Sequence, residues 1–233
     1  VLVAESIPGN ELTSDSTYTK ESWSYPADRT QKIMDFTRRE KVTLSTLYHT
    51  AWALLVSRYT QSQDVLFSTM VSGRSEAVQA EEILGQLCNI LPFRIQIDPE
   101  KTLKLFFDEI RNKAFELHDY EYTPMLQIPS WTEVPEGKEL YDSYFVIVNT
   151  PSAKITDKND PEVSELAPVL AQTHLPLRWD IYPLPNRLWV TISFLHGRFS
   201  ETTARKLLSD MDELIHRILA NSDVTVGELI EDR

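Results

Sequence analysis

The sequence predicts an α+β fold, a mixed β-sheet flanked by helices. Three observations carry that expectation. Amphipathic stretches with cap residues at their starts recur along the 233 residues, strand-length apolar runs lie between them, and the two kinds follow no strict strand–helix–strand alternation. The sum is roughly five or six strands with three or four helices.

Residues 1–6, VLVAES, are apolar and β-prone and read as a leading strand. The stretch PGNELTSDSTYTKES that follows is rich in turn formers and reads as a polar loop. A helix is expected from Ala27 to Glu40. Thr43 can cap the next one, in which Leu44, Leu47, Tyr48, Ala51, Leu54, Leu55 and Arg58 recur at helical spacing and give one apolar face.

DVLFSTMV, residues 64–71, reads as a mostly buried strand, and the SGR after it supplies a turn at Gly73. In ILGQLCNILPFRIQI, residues 83–97, Leu91, Phe93, Ile95 and Ile97 alternate with Pro92, Arg94 and Gln96, the period of a half-buried strand. Pro92 is expected at its start, where a missing donor does least harm. From Thr102 a second amphipathic helix places Leu103, Phe106, Phe107, Ile110, Ala114 and Leu117 on one side and ends near His118.

YFVIV, residues 144–148, is a strand, and the polar run from Thr150 to Glu165 is a surface loop. LRWDIYPLPNRLWVTISF reads as two strands joined through PLPN, with Leu188, Val190, Ile192 and Phe194 on one face. Ser200 caps the last helix, Glu201 meets the positive end of its dipole, and Ala204, Leu207, Leu208, Met211, Leu214, Ile215 and Ile218 form its stripe. At about 1.5–3 kcal/mol for each fully buried large side chain, that stripe needs a sheet to cover.

Composition excludes several classes of function. A net charge of −12, with Arg38, Arg39 and Lys41 as the densest basic patch, disfavours nucleic acid. The longest apolar runs, such as AWALLV, fall far short of the roughly 20 residues that cross a bilayer, so no membrane-spanning role is expected. Cys88 is the only cysteine, which rules out an internal disulfide and fits a reducing, cytoplasmic setting. VLVAES carries neither a methionine nor the pattern of a secretory leader, so the start reads as a cut through a larger polypeptide.

The chemistry-bearing residues are sparse. His49, His118, His174, His196 and His216 are scattered, with no HExxH and no Cys/His ligand spacing, so no metal site is expected. Ser72 lacks the GxSxG elbow that exposes a nucleophile and reads as a turn serine. Cys88 has no histidine or lysine near it in sequence to lower its pKa, and packing is its expected role. Six glycines include neither GxGxxG nor a P-loop. Glu81–Glu82 and Asp108–Glu109 read as solvated faces, because neighbours in sequence point apart. His118, beside Asp119 and Glu121, is the one imidazole that carboxylates could tune, and a cation at a helix end is its simpler explanation. No catalytic residue is assigned.

Taken in order, TLSTLYHTAWALLVSRYTQSQDVLFSTMVSGR, ILGQLCNILPFRIQID, HDYEYTPMLQIPSWTEVP and RLWVTISFLHGRFSETTARKLLSDMDELIHRIL resemble the C-terminal half of nonribosomal peptide synthetase condensation domains. The resemblance runs from about residue 27 to the end, and the order and spacing of the segments carry it. It implies one lobe of a fold like chloramphenicol acetyltransferase, over residues 1–233, with 1–26 as a leading strand and linker and 27–233 as the core of the lobe. Two such lobes form a V with a tunnel between them, where one carrier protein's amine attacks the thioester of another to make an amide. The implied partners are the N-terminal lobe, peptidyl carrier proteins and an adjacent adenylation domain. No cofactor is bound directly; phosphopantetheine arrives on the carriers.

The family's reaction centre is an H-H-x-x-x-D-G motif in the N-terminal lobe, and no such motif occurs in these 233 residues. Help from a general acid or base of this kind is typically worth 10²–10⁴-fold, so the chain alone is expected to be inactive. Gly85, Asn89, Pro92 and Arg94 match the family's G-x-x-x-N-x-x-P-x-R segment, with Ile90 where a threonine is usual. Asn89 is expected chiefly to bend and hydrogen-bond a segment facing the tunnel, with direct contact to the substrate as the second reading. Ser72, Gly73 and Arg74 match the S-G-R, placing them toward the tunnel or the phosphopantetheine, with a structural ion pair favoured for Arg74. His118, Asp119 and Tyr122 match the H/Q-D-Y region only loosely, with Glu121 and Thr123 as departures. Two other readings compete: a non-catalytic module that binds a carrier protein or a partner lobe, and a self-sufficient trimeric acyltransferase with its histidine at an interface between copies.

Overall fold

A computed structural model describes residues 2–10, 12–74, 83–85, 87–135, 137–148 and 175–231. In chain order the elements are helix α1 (Val3–Ser6), strand β1 (Tyr18–Tyr25), helices α2 (Ala27–Glu40) and α3 (Leu44–Thr60), and strands β2 (Asp64–Val71) and β3 (Asn89–Gln96). Helix α4 (Leu103–Glu116) follows and leads into 3₁₀ turns at Leu117–Tyr120 and Met125–Trp131. The rest comprises β4 (Ser143–Ile147), β5 (Leu177–Leu184), β6 (Arg187–Leu195), α5 (Glu201–Ala220) and α6 (Val226–Ile230).

Among the described residues six strands form one mixed sheet in the order β1-β6-β5-β4-β2-β3. β4 runs parallel to both β2 and β5, and the remaining pairs are antiparallel. One face carries Phe67, Phe93, Phe145, Trp179, Ile192 and Phe194, which join the buried side chains of α3, α4 and α5 in a single core. Helix starts follow the expected chemistry: the side chains of Thr43, Thr102 and Ser200 accept the amides of Thr46, Leu105 and Thr203. The seven stripe residues of α5 are all buried, and β5 and β6 form a hairpin closing through Leu184 and Arg187.

Four expectations are revised. Val3–Ser6 is a helix rather than a strand. Val3, Ala4 and Ile7 are buried, and the Asp142 carboxylate accepts the Ala4 amide at 2.7 Å, so tertiary contacts override local propensity. Within the expected polar loop, residues from Tyr18 onward form β1, which pairs with β6 along its whole length. That partner lies more than 160 residues away and leaves no local signal in the sequence.

Helix α3 is buried all round, since every residue from Thr46 to Ser57 is out of solvent. It runs through the core with the sheet on one side and helices on the others. Its first charge is Arg58, and that long uncharged stretch is the sequence trace of full burial. Strand β3 begins at Asn89, so Pro92 stands in mid-strand opposite Ser68. It is tolerated because β3 is the edge strand among the described residues. The run from Thr150 to Glu165, His174 and Glu81–Glu82 lie outside the described residues.

Candidate functional site

The turn after β2 and the start of β3 meet at one end of the sheet, where Val71 stands opposite Asn89. Gly73 makes this closure possible. Its φ is +64°, and a Cβ built on it would lie 2.0 Å from the Leu87 carbonyl oxygen, so only glycine fits. The Arg74 amide donates to Ser72 Oγ at 3.2 Å, and the Arg74 guanidinium donates to the carbonyls of Ile83 (3.3 Å) and Gly85 (3.1 Å). Ser72, Gly73, Arg74, Gly85 and Asn89 therefore share one locus.

Asn89 spends its whole side-chain amide on backbone. Its Nδ2 donates to the carbonyls of Glu121 (3.0 Å) and Thr123 (2.7 Å), while Oδ1 accepts the Ile90 amide at 2.9 Å. These bonds bring the segment after α4 to the same locus. Between the two clamped carbonyls sits Tyr122, whose hydroxyl donates to the Gly73 carbonyl at 3.3 Å. Nearby, His118 Nδ1 and Glu121 Oε1 are 2.7 Å apart, with the Glu121 side chain 1% exposed and that of His118 44%.

Pro92 and Arg94 do not join this cluster. Arg94 lies five residues further along β3, roughly 17 Å at strand rise, and makes a two-pronged bond to Asp64, at 2.8 and 2.6 Å. That pair borders a cleft of about 480 Å³ lined by Val56, Val65, Leu66, Pro92, Ile128 and Leu140. The expected solvated acids behave as such: Asp108 pairs with Arg111 and Glu109 with Lys101.

The face of the sheet away from the large core holds a polar set that the sequence did not announce. Arg178 Nε and Nη2 both donate to Asp180 Oδ1, at 2.8 and 2.6 Å, in a buried pair. The guanidinium lies 5.3 Å from the centre of the Tyr144 ring, and burial drives the Tyr144 phenol pKa upward. Strand alternation in RWDIY was the available trace, placing Arg178, Asp180 and Tyr182 on one side. His49 is the opposite case: it stands among Phe67, Phe93 and Phe145, hydrogen-bonded to Thr69 Oγ1 and the Ser45 carbonyl. Burial lowers its pKa to about 4, so it is a neutral core residue. Among the described residues no cluster of His, Cys, Asp and Glu could hold a metal, and no helix is long and apolar enough to cross a membrane.

The family model described as "Condensation domain" matches residues 4–232. The chain belongs to the condensation-domain family. A linear gramicidin synthase protein of Brevibacillus parabrevis is 31% identical over 215 residues, a match covering 91% of this chain and 3% of that protein. Chondramide synthase cmdD of Chondromyces crocatus is 30% identical over 226 residues, covering 96% of this chain and 6% of the relative. The fold agrees with that of the first condensation domain of the calcium-dependent antibiotic synthetase in complex with a substrate analogue. The TM-score is 0.77 at 15% identity, over 98% of this chain and 49% of that one. The condensation domain from the Monacolin K polyketide synthase MokA gives a TM-score of 0.76 at 18% identity, over 94% and 51%. The chain thus spans about half of these solved condensation-domain chains and a small part of the synthases. The family match begins at residue 4, well before residue 27, and includes α1 from its second residue and the whole of β1.

Proposed function

We propose that this chain is the C-terminal lobe of a nonribosomal peptide synthetase condensation domain, which forms an amide between aminoacyl or peptidyl groups tethered to carrier proteins. The observation that carries the reading is a family match over residues 4–232 in a chain that spans only half of the solved domains and contains no H-H-x-x-x-D-G motif. The lobe supplies one wall of the reaction channel, and the histidine that handles the amine proton resides on the N-terminal lobe. Catalysis then needs both lobes, because the chain alone lacks the base and the positioning of two tethered substrates.

The channel wall is assigned to the locus where Ser72, Gly73, Arg74 and Asn89 meet. Phosphopantetheine arrives on peptidyl carrier proteins, with an adenylation domain adjacent in the same cytoplasmic assembly. With a charge of −12 the lobe offers no long-range attraction to an acidic carrier, so docking depends on local apolar contact. The test combines the chain with a histidine-bearing N-terminal condensation lobe and two loaded carrier proteins. Carrier-bound dipeptide is expected from the mixture, and no product from the mixture overturns the reading.

A further inference from the structure

Tyr122 is anchored at both ends. Its backbone is held by Asn89, which grips the carbonyls of Glu121 and Thr123 on either side of it. Its hydroxyl donates to the carbonyl of Gly73, the one residue in the S-G-R turn that cannot carry a side chain. Yet Tyr122 is 60% exposed. A tyrosine placed for packing buries its ring and lets its hydroxyl seek water. Here the hydroxyl is spent on protein and the ring is left open. Leu84 is fully exposed next to Gly85, whose carbonyl Arg74 holds, so a second apolar side chain stands open at the same turn.

We propose that Tyr122 is a positioning residue of the reaction channel, presenting its ring as a fixed apolar platform for the thioester-bearing pantetheine arm, with Asn89 acting through it. The inference rests on the condensation reading above. A pantetheine chain alternates amides with methylene and dimethyl groups, and such a chain lies well along a flat aromatic face flanked by backbone carbonyls. Fixing the ring beforehand removes the ordering cost that a free tyrosine would add to each binding event. The clamp also explains why a polar amide at Asn89 is spent on two carbonyls rather than on solvent.

Two measurements keep the inference apart from the reading beneath it. In the two-lobe condensation assay, Tyr122→Ala should raise the KM for the carrier-bound substrate roughly tenfold with kcat within about twofold of the unaltered protein. Tyr122→Phe, which keeps the platform and loses only its tether, should raise KM by roughly threefold. Asn89→Ala should add nothing further in the Tyr122→Ala background, since it acts through the ring. Separately, D-pantetheine titrated into this chain alone, followed by nuclear magnetic resonance, should shift Tyr122 and Gly73 signals, and those of Gly73 should cease to move in Tyr122→Ala. An unaltered protein that makes dipeptide while Tyr122→Ala keeps its KM and its pantetheine shifts overturns the inference and spares the reading. Failure of the unaltered protein to condense, with the shifts and their loss intact, overturns the reading alone. A lower melting temperature in Tyr122→Ala with unchanged KM and shifts assigns the residue to structure only and overturns the inference.

Discussion

Asn89 Nδ2 donates to the Thr123 carbonyl at 2.7 Å, joining the first residue of β3 to a turn 34 residues further along the chain. The same nitrogen also serves the Glu121 carbonyl, so one side chain satisfies two backbone acceptors beside a nearly inaccessible carboxylate. Asn89→Ala leaves both carbonyls short of a donor and should cost about 1–3 kcal/mol in urea unfolding. Asn89→Asp should cost more, because it turns an oxygen toward two oxygens. Equal midpoints for Asp and Asn at this position would contradict the clamp.

Gly73 and Gly9 both have positive φ, +64° and +75°, but only Gly73 has a neighbour where a Cβ would go. Gly9→Ala should cost about 1 kcal/mol, the backbone conformation alone. Gly73→Ala must also push the Leu87 carbonyl away and should cost at least about 2 kcal/mol more. Thermal unfolding of the two variants side by side measures the difference.

His49 makes stability depend on pH in a defined window. Its pKa is about 4 in the folded chain against about 6.5 when unfolded. Between those values the unfolded state binds more protons, so stability is full above about pH 6.5 and falls as the pH drops toward 4. The loss attributable to this one group is about 3 kcal/mol. His49→Gln cannot titrate, and its urea midpoint should vary less between pH 7 and 4.5 than that of the unaltered protein. Parallel pH profiles for the two would show that His49 is not the sensor.

The Asp64–Arg94 pair is well formed but exposed, with 46% and 65% of the two side chains open to solvent. Arg94→Ala should therefore change stability by no more than about 1 kcal/mol, an effect that 1 M salt removes. A larger, salt-independent loss would point to a role for Arg94 in the neighbouring cleft.

What the sequence made legible was whatever is encoded locally. Thr43, Thr102 and Ser200 announce helices because a cap acts within three residues, and the β5–β6 hairpin announces itself through alternation and a proline-bearing turn. β1 was hidden because its partner β6 is distant, and α1 because Asp142 caps it from across the fold. The site was half visible. Ser72, Gly73, Arg74 and Asn89 could be named from motif order, but nothing local says that Asn89 grips the carbonyls around Tyr122 or that Tyr122 reaches Gly73. Those contacts exist only once β3 is paired with β2 and α4 has returned the chain to the same end of the sheet.

The most direct test of the account is dipeptide formation on carrier proteins, measured with this chain alone, with a histidine-bearing N-terminal condensation lobe alone, and with the two together. The account predicts product only in the combined reaction. Product from this chain by itself would contradict it, since the proton-handling histidine would then have to reside among these 233 residues.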